Sequence, residues 1–336
     1  MEKRGVKHLP ERIRVSVGSA IVLGLLKGIL DAAPTTVYLL TYREGKCLAN
    51  CGFCPQARKS SSRADMLARV TWPIFSTELV IEKISLSAKK GDVQRVCIQA
   101  LNYIGIFDDV LNLGKAIHLT SNVPISVSCQ PLNKSQMKEL TEAGVSRVSI
   151  ALDAATEELF DKVKGALTQS PYTWHQHRKA LLEAVDVFGK NQVSTHLIVG
   201  LGETEKEIIE VIQWCTDYGV YPSLFAFTPI PGTMLESIPQ PPIQVYRRVQ
   251  LARHLLVQGK TRSENMSFDL EGHITDFGVP RPLLRNVVEN GIAFQTSGCP
   301  GCNRPYYNES PSGPIYNYPR PLVKNELTEV EKQLET

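Results

Sequence analysis

The chain has 336 residues, 43% of them hydrophobic and 21% charged, and 37 Lys and Arg against 34 Asp and Glu leave a net charge of +3. That length carries a full core without metal or disulfide staples, and a near-balanced charge with no basic tract excludes a nucleic-acid binder. Eight cysteines in a chain of this size are no disulfide scaffold; their clustering reads as reduced, metal-binding thiols in a cytoplasmic protein.

The most apolar stretch, residues 15–30, is sixteen residues long and contains Gly18, Gly24, Lys27 and Gly28. It is short for a membrane span and broken by a charge. Lys3, Arg4, Arg12 and Arg14 precede it as in a secretory signal, but no small-residue cleavage site follows cleanly. It is therefore expected to be a buried or capping helix in an N-terminal helical extension, residues 1–34, with no membrane partner. The body then alternates two periodicities. Strands are predicted at 37–42, 94–99, 123–128, 147–152, 192–199, 222–227, 265–269 and 292–295. Helices are predicted at 78–89, 108–119, 134–143, 174–188, 205–218, 244–258 and 283–289. This pattern predicts an α/β fold, a closed (β/α)8 TIM-type barrel over residues 35–302, with its chemistry at the C-terminal ends of the strands. From residue 303 to 336, Pro305, Pro311, Pro314, Pro319 and Pro321 exclude regular helix and predict an irregular strap around the barrel. The polar residues at the very end fit a helix or a disordered tail.

Cys47, Cys51 and Cys54 follow the first predicted barrel strand with the spacing C-x3-C-x2-C. Three soft thiolates in eight residues suit three irons of a [4Fe–4S] cluster and leave the fourth iron open. Gly52 would allow a tight turn between ligands and Phe53 an apolar wall. A zinc site and buried free thiols are the alternatives, although zinc sites usually show paired C-x2-C units. The motif resembles that of the radical S-adenosylmethionine (SAM) enzymes. The resemblance implies that the open iron binds the amino and carboxylate groups of SAM. An electron from a reduced donor such as ferredoxin would then split SAM into methionine and a 5′-deoxyadenosyl radical.

Further residues carry the same resemblance. Ile198-Val-Gly200-Leu201-Gly-Glu203 resembles the Ile-x-Gly-x-x-Glu element that holds adenine, implying backbone contacts from Ile198 and Leu201. Asp153 resembles the acid that binds the ribose hydroxyls in biotin synthase, although Ala151 stands where that family usually has Asn. Arg178 resembles the arginine that pairs with the SAM carboxylate. Gln99 and Asn102 fall where the methionine amino group is held. An ordinary strand-to-helix turn, a helix cap at Asp153 and a surface arginine are the plain alternatives.

Cys97 and Cys129 end the second and third predicted strands, where biotin synthase carries ligands of its auxiliary cluster. That family's third cysteine maps to Ser194, and residues 267–272 show no clear match to its arginine ligand, so the site is half present. Cys299-Pro-Gly-Cys302 supplies a C-x2-C instead. Cys97, Cys129, Cys299 and Cys302 together offer four thiolates for a second, auxiliary [4Fe–4S] cluster. Buried small residues, a zinc knuckle or a redox pair are the alternatives. Cys215 reads as core, His196 as packed core rather than catalytic, and His175 and His177 as helix surface.

The resemblance to biotin synthase covers roughly residues 35–260 and implies sulfur insertion into an unactivated C–H bond, with the auxiliary cluster as sulfur donor. The changed auxiliary site and the Cys-Pro-Gly-Cys segment look most like a component of the archaeal-type two-protein lipoyl synthase. That would imply an octanoylated lipoyl-carrier protein as substrate and a second radical SAM lipoyl synthase protein as partner. The N-terminal second cysteine motif of the bacterial lipoyl synthase is absent. A biotin synthase-like enzyme or radical mutase on a free small molecule is one alternative, and a non-catalytic iron–sulfur or zinc-binding protein another.

Overall fold

A computed structural model describes residues 8–310 and 312–335; Lys3, Arg4 and Pro311 lie outside the described residues. The chain opens with β1 (Arg12–Val15) and α1 (Val17–Val22), then enters β2 (Thr36–Thr41). A small hairpin, β3 (Met66–Leu67) and β4 (Val70–Thr71), precedes β5 (Ile74–Ser76) and α2 (Thr77–Lys90). Next come β6 (Arg95–Gln99), α3 (Ile106–Thr120), β7 (Ile125–Ser128), α4 (Lys134–Glu142) and β8 (Val145–Ser149). Two helices follow, α5 (Glu157–Val163) and α6 (Trp174–Phe188), then β9 (Val193–Val199), α7 (Glu205–Asp217) and β10 (Val220–Ala226). Finally α8 (Ile243–Val257), the hairpin β11 (Ser267–Phe268) and β12 (Ile274–Asp276), α9 (Arg281–Asn290) and α10 (Lys324–Glu335) complete the chain.

The main sheet has eight strands in the order β10-β9-β8-β7-β6-β2-β1-β5. From β2 to β10 the neighbours are parallel and helices connect them, which is the predicted TIM-type α/β fold. The remaining two strands are not those expected. β1 and β5 join antiparallel beside β2, whereas residues 265–269 and 292–295 lie outside this sheet. The former run through a 3₁₀ turn into the β11–β12 hairpin, and Ile292–Phe294 is a single 3₁₀ turn. Four or five residues without an adjacent strand of matching length do not hold a place in a sheet by propensity alone. The predicted helix at 15–30 is likewise cut short. Ile13 and Val15 pair with Thr41 and Leu39, and α1 ends after six residues, just before Gly24 at φ 68°. No helix among the described residues is long and apolar enough to cross a membrane.

Strand alternation divides the residues between two environments. Val96 and Ile98 on β6, and Ile125 and Val127 on β7, are fully buried in the apolar layer that includes residues of the outer helices. Cys97, Gln99, Ser126 and Ser128 alternate with them and line the barrel interior. A smaller cluster joins Leu251 and Leu255 of α8, Val287 of α9 and Val330 of α10 to Tyr318 of the strap.

The strap lies across the barrel from β10 to the start of β2. Leu224 N–H donates to Ser297 Oγ at 2.8 Å, and Thr35 N–H donates to Asn303 Oδ1 at 3.1 Å. Glu309, in the strap, is buried and accepts from the amides of Asn308 and Asn317, each at 3.2 Å. Burial raises its carboxyl from the usual range to about 7. Folded and unfolded chains both hold this proton well below pH 4.5. Between about 4.5 and 7 only the folded chain keeps it, so its contribution to stability falls as pH rises through that window. A shift of that size is worth about 3 kcal/mol. Urea unfolding at about pH 5 and pH 8 should show Glu309→Gln gaining stability relative to the parent by that order; parallel pH profiles would refute the assignment.

Candidate functional site

Inside the barrel lies a cavity of about 280 Å³, lined by residues from β2 and β6 to β10, the Cys47–Cys54 loop and the strap. The loop leaves the C-terminal end of β2 and is held by its own backbone. Cys47 N–H donates to Gln56 O at 2.9 Å, Cys54 N–H donates to Cys51 O at 3.0 Å, and Lys46 Nζ donates to the carbonyls of Pro55 and Ser62, both at 2.6 Å. Gly52 is required for close approach. Its N–H donates to Val163 O at 2.7 Å, its carbonyl accepts from Leu235 N–H at 3.0 Å, and a Cβ would sit 2.5 Å from Met234 Cε.

All three sulfurs of the loop line the cavity, and Asn102 N–H donates to Cys47 Sγ at 3.1 Å. Burial pushes the Cys51 thiol up to about 12, with nearby Lys164 opposing. Burial, followed by the Cys51 and Cys47 sulfurs, pushes Cys54 up as well. Three free soft donors gathered in a largely apolar chamber, with burial and neighbouring sulfurs disfavouring ionisation of Cys51 and Cys54, fit an iron–sulfur group that would hold them as thiolates.

The other expected contacts divide. Gln99, Asn102, Asp153 and Ile198 line the same cavity. Asn102 Nδ2 also donates to Tyr172 Oη at 3.1 Å. Asp153 sits at φ 64°, its backbone bridging to β9: its N–H donates to His196 O and Ile198 N–H donates to its carbonyl, both at 2.8 Å. Its carboxylate pairs with Lys164 Nζ at 2.7 Å, both side chains under 10% exposed, and Lys164 also donates to Ala151 O. Lys164 lay outside the sequence reading; it follows a short helix, α5, that the periodicity did not predict.

Gly200, Leu201 and Glu203 do not face the cavity. The Glu203 carboxylate turns back to accept from Gly200 N–H at 2.6 Å and Leu201 N–H at 3.0 Å, closing the turn that leads into α7. Those amides are therefore already occupied, and only Ile198 of this element reaches the chamber. Arg178 is a clear correction. Trp174, His177, Ala180, Leu181 and Ala184 form the buried side of α6, and Arg178 lies on its flank. Its guanidinium stacks 4.3 Å from the Trp214 ring on the outer helical layer, away from the cavity. The cation that reaches the Asp153 carboxylate inside the cavity is Lys164. His177 is not on the surface either: its ring packs 5.1 Å from both Phe160 and Tyr172, and burial lowers its pKa to about 2. His196 does line the cavity, 4.8 Å from Phe225, and burial lowers it to about 3, so it is neutral.

A second group of sulfurs stands elsewhere on the cavity wall. Tyr38, Cys97 and Ser126 are register partners across β2, β6 and β7 and point inward together. The Cys299–Cys302 turn, closed by Cys302 N–H donating to Cys299 O at 2.9 Å, reaches this row. Tyr38 Oη lies 3.2 Å from Cys302 Sγ, and Ser126 Oγ lies 3.5 Å from Cys299 Sγ, with Cys97 between them. Gly301 makes the turn possible at φ 77°, a conformation costly for any other residue. Burial raises the Cys97 thiol, and the sulfurs of Cys299 and Cys302 are the next causes.

Cys129 does not join them. It lines the same cavity but lies just past the end of β7, three residues beyond Ser126 and about 10 Å further along at a strand's rise. Its N–H donates to Ser149 O, and burial alone pushes its thiol up to about 12. The expected set of four thiolates is thus a set of three. Cys215 is fully buried in α7, as expected of core. Removing Lys164 would leave Asp153 buried without its partner. Lys164→Ala should therefore cost about 3–5 kcal/mol in urea unfolding, and Asp153→Asn/Lys164→Met should recover most of it; a loss below about 1 kcal/mol would show that the pair is solvated.

Comparison with known proteins agrees with this geometry. The Radical SAM superfamily profile matches residues 45–215, just over half of the chain. A biotin synthase of Synechococcus sp. (strain WH7803) is 25% identical over 232 residues, 67% of each chain. A biotin synthase of Chlamydia pneumoniae is 26% identical over 273 residues, 77% of this chain and 75% of that one. The crystal structure of HydG, a maturase of the [FeFe]-hydrogenase, aligns with a TM-score of 0.51 at 13% identity. That match covers 66% of this chain and 50% of HydG, so the chain spans half of that protein's length, and the likeness speaks for the fold alone. A barrel with three converging thiols on the loop after β2, matched across the segment that carries them, belongs to the radical SAM superfamily.

Proposed function

We propose that this chain is a sulfur-inserting radical SAM enzyme, one component of a two-protein lipoyl synthase acting on an octanoyl-lysine of a lipoyl-carrier protein. The observation that carries this reading is the second thiol set, Cys97, Cys299 and Cys302, facing the cavity that Cys47, Cys51 and Cys54 also line. Cys47, Cys97 and Cys302 pack against one apolar cluster of Tyr38, Leu40, Trp72 and Leu101, so the two sets share one apolar wall of the same cavity. Tyr307 is half-buried against the same cluster and lines the cavity with Cys54 and Cys97.

When bound, a first cluster with SAM would supply the oxidant that removes hydrogen from an unactivated carbon, and an auxiliary cluster the sulfur. The chain's own residues bind and enclose. The Asp153–Lys164 pair, Gln99, Asn102 and the Ile198 backbone offer polar and apolar contacts to SAM near the first triad. Phe53, Leu40, Phe225 and Tyr307 exclude water from the space between the sets, where an acyl chain would lie. A second radical SAM protein and a reduced donor such as ferredoxin complete the reaction in the cytoplasm. The similarity to biotin synthases favours a second reading, sulfur insertion into a free small molecule.

Anaerobic reconstitution should load about eight irons per chain, about four in each cluster. Cys299→Ala/Cys302→Ala should keep about four irons and SAM cleavage but yield no sulfur product; only four irons in the parent chain would rule out the auxiliary donor. Incubation with SAM, dithionite, the partner protein and an octanoylated carrier peptide should add the mass of sulfur to the peptide. Sulfur found instead on a free acid or amide substrate, with the peptide unchanged, would decide for the second reading; SAM left uncleaved would leave a non-catalytic iron–sulfur protein.

A further inference from the structure

Each sulfur of the Cys299–Cys302 turn has a hydroxyl beside it: Tyr38 Oη at Cys302 Sγ, 3.2 Å, and Ser126 Oγ at Cys299 Sγ, 3.5 Å. A hydroxyl has one proton to give and lone pairs with which to receive. Both hydroxyls already receive. Arg304 N–H donates to Tyr38 Oη at 3.1 Å, and Arg95 Nη1 donates to Ser126 Oγ at 2.9 Å. A cysteine that holds iron is a thiolate with no proton of its own. In that state the O–H groups of Tyr38 and Ser126 are the donors, and each sulfur of the turn is an acceptor.

Charge reinforces one of these bonds. Arg95 stands two residues before Cys97 on the inward face of β6, is 8% exposed, and has no partner at Nε. Ser126 pairs in register with Arg147 on β8, so the row reads Tyr38, Cys97, Ser126, Arg147 across four strands. Arg147 is 7% exposed, its Nε is likewise unpartnered, and it donates to Gln192 Oε1 at 2.7 Å and to Asn191 O. Among the described residues both guanidinium groups thus bond only neutral oxygens, and their charge is left to the row. Reduction adds a negative charge to an iron–sulfur cluster, so buried cations and donors to its sulfurs favour the reduced form.

We infer that Tyr38 and Ser126 are positioning residues that raise the reduction potential of an auxiliary cluster held by Cys97, Cys299 and Cys302, with Arg95 acting through Ser126. This rests on the sulfur-insertion reading above and deepens it. A carbon radical brings one electron to a C–S bond and a sulfide lone pair brings two. The bond takes two, and the third reduces one ferric iron to ferrous. The two hydroxyls and the guanidinium behind them ready the site for that third electron.

The test is an anaerobic redox titration, followed by paramagnetic resonance, on the full chain with Cys47, Cys51 and Cys54 changed to Ala and reconstituted with iron and sulfide. About four irons should remain, and they should persist in Tyr38→Phe, Ser126→Ala and Arg95→Met. Tyr38→Phe and Ser126→Ala should each disfavour reduction roughly tenfold, a midpoint about 59 mV lower for a one-electron couple. Ser126→Thr, which keeps a hydroxyl, should restore the parent midpoint. Arg95→Met should lower the midpoint more when Ser126 is present than after Ser126→Ala, the coupling expected of a relay. An unchanged or higher midpoint in Tyr38→Phe and Ser126→Ala overturns this inference alone. Loss of the irons in those two variants makes the hydroxyls structural and overturns it as well. No cluster in a folded triple variant overturns the auxiliary-donor reading with it. If the triple variant does not fold, the midpoints are read on the parent chain with SAM, which alters the first cluster's spectrum alone; an unmoved second midpoint there also overturns the inference.

Discussion

Arg247 ties the strap to the outer helices, and the second half of the site depends on that tie. Its guanidinium is almost wholly buried on α8 and donates to Tyr316 O at 2.8 Å and to Gln333 Oε1 at 2.8 Å, while Gln250 on the same helix donates to Tyr316 O at 2.9 Å. Burial lowers the guanidinium pKa, a sign of its desolvation, and the carbonyls offset that cost without a carboxylate partner. With the strap fixed there, Cys299, Cys302, Arg304 and Tyr307 are carried into the barrel. A segment with so many prolines has little regular backbone hydrogen bonding of its own, so side chains from helices have to supply it.

The barrel interior is organised by one property of strands, the alternation of faces. On β6, Val96 and Ile98 turn outward to the helices while Cys97 and Gln99 turn inward. Repeated across β2, β7 and β8, the same alternation builds a row of tyrosine, cysteine, serine and arginine beside the helix-facing apolar layer. The first triad needs no such register, because its three thiols lie in one loop pinned at Gly52. The two thiol sets thus arise from different physics, one local and one dependent on strand stagger.

Much of this was legible in the residues. The period-two runs located β2 and β6 to β10 to within a few residues, because each pairs in parallel with a neighbour, is bounded by turn residues and is followed by a helix that packs on its apolar face. The weaker runs at 265–269 and 292–295 misled, since no neighbouring strand paired with them in the barrel sheet. Arg178 misled for another reason. A guanidinium on a helix finds whatever face the helix turns, and α6 turns Ala180, Leu181 and Ala184 inward and Arg178 toward Trp214. Lys164 carried no sequence signal, being a single lysine after a two-turn helix.

By itself the sequence determined the parallel α/β alternation and the C-x3-C-x2-C triad, because periodicity and short spacing are properties of contiguous residues that the backbone expresses wherever it folds. Only the tertiary structure decided which distant groups meet. Cys97 meets Cys299 and Cys302 from two hundred residues away because the strap crosses the barrel at the level of Tyr38 and Ser126. Cys129, just past the end of the strand next to Cys97's, is left out because three residues of rise beyond Ser126 carry it past that level, and rise and stagger exist only once the strands are paired.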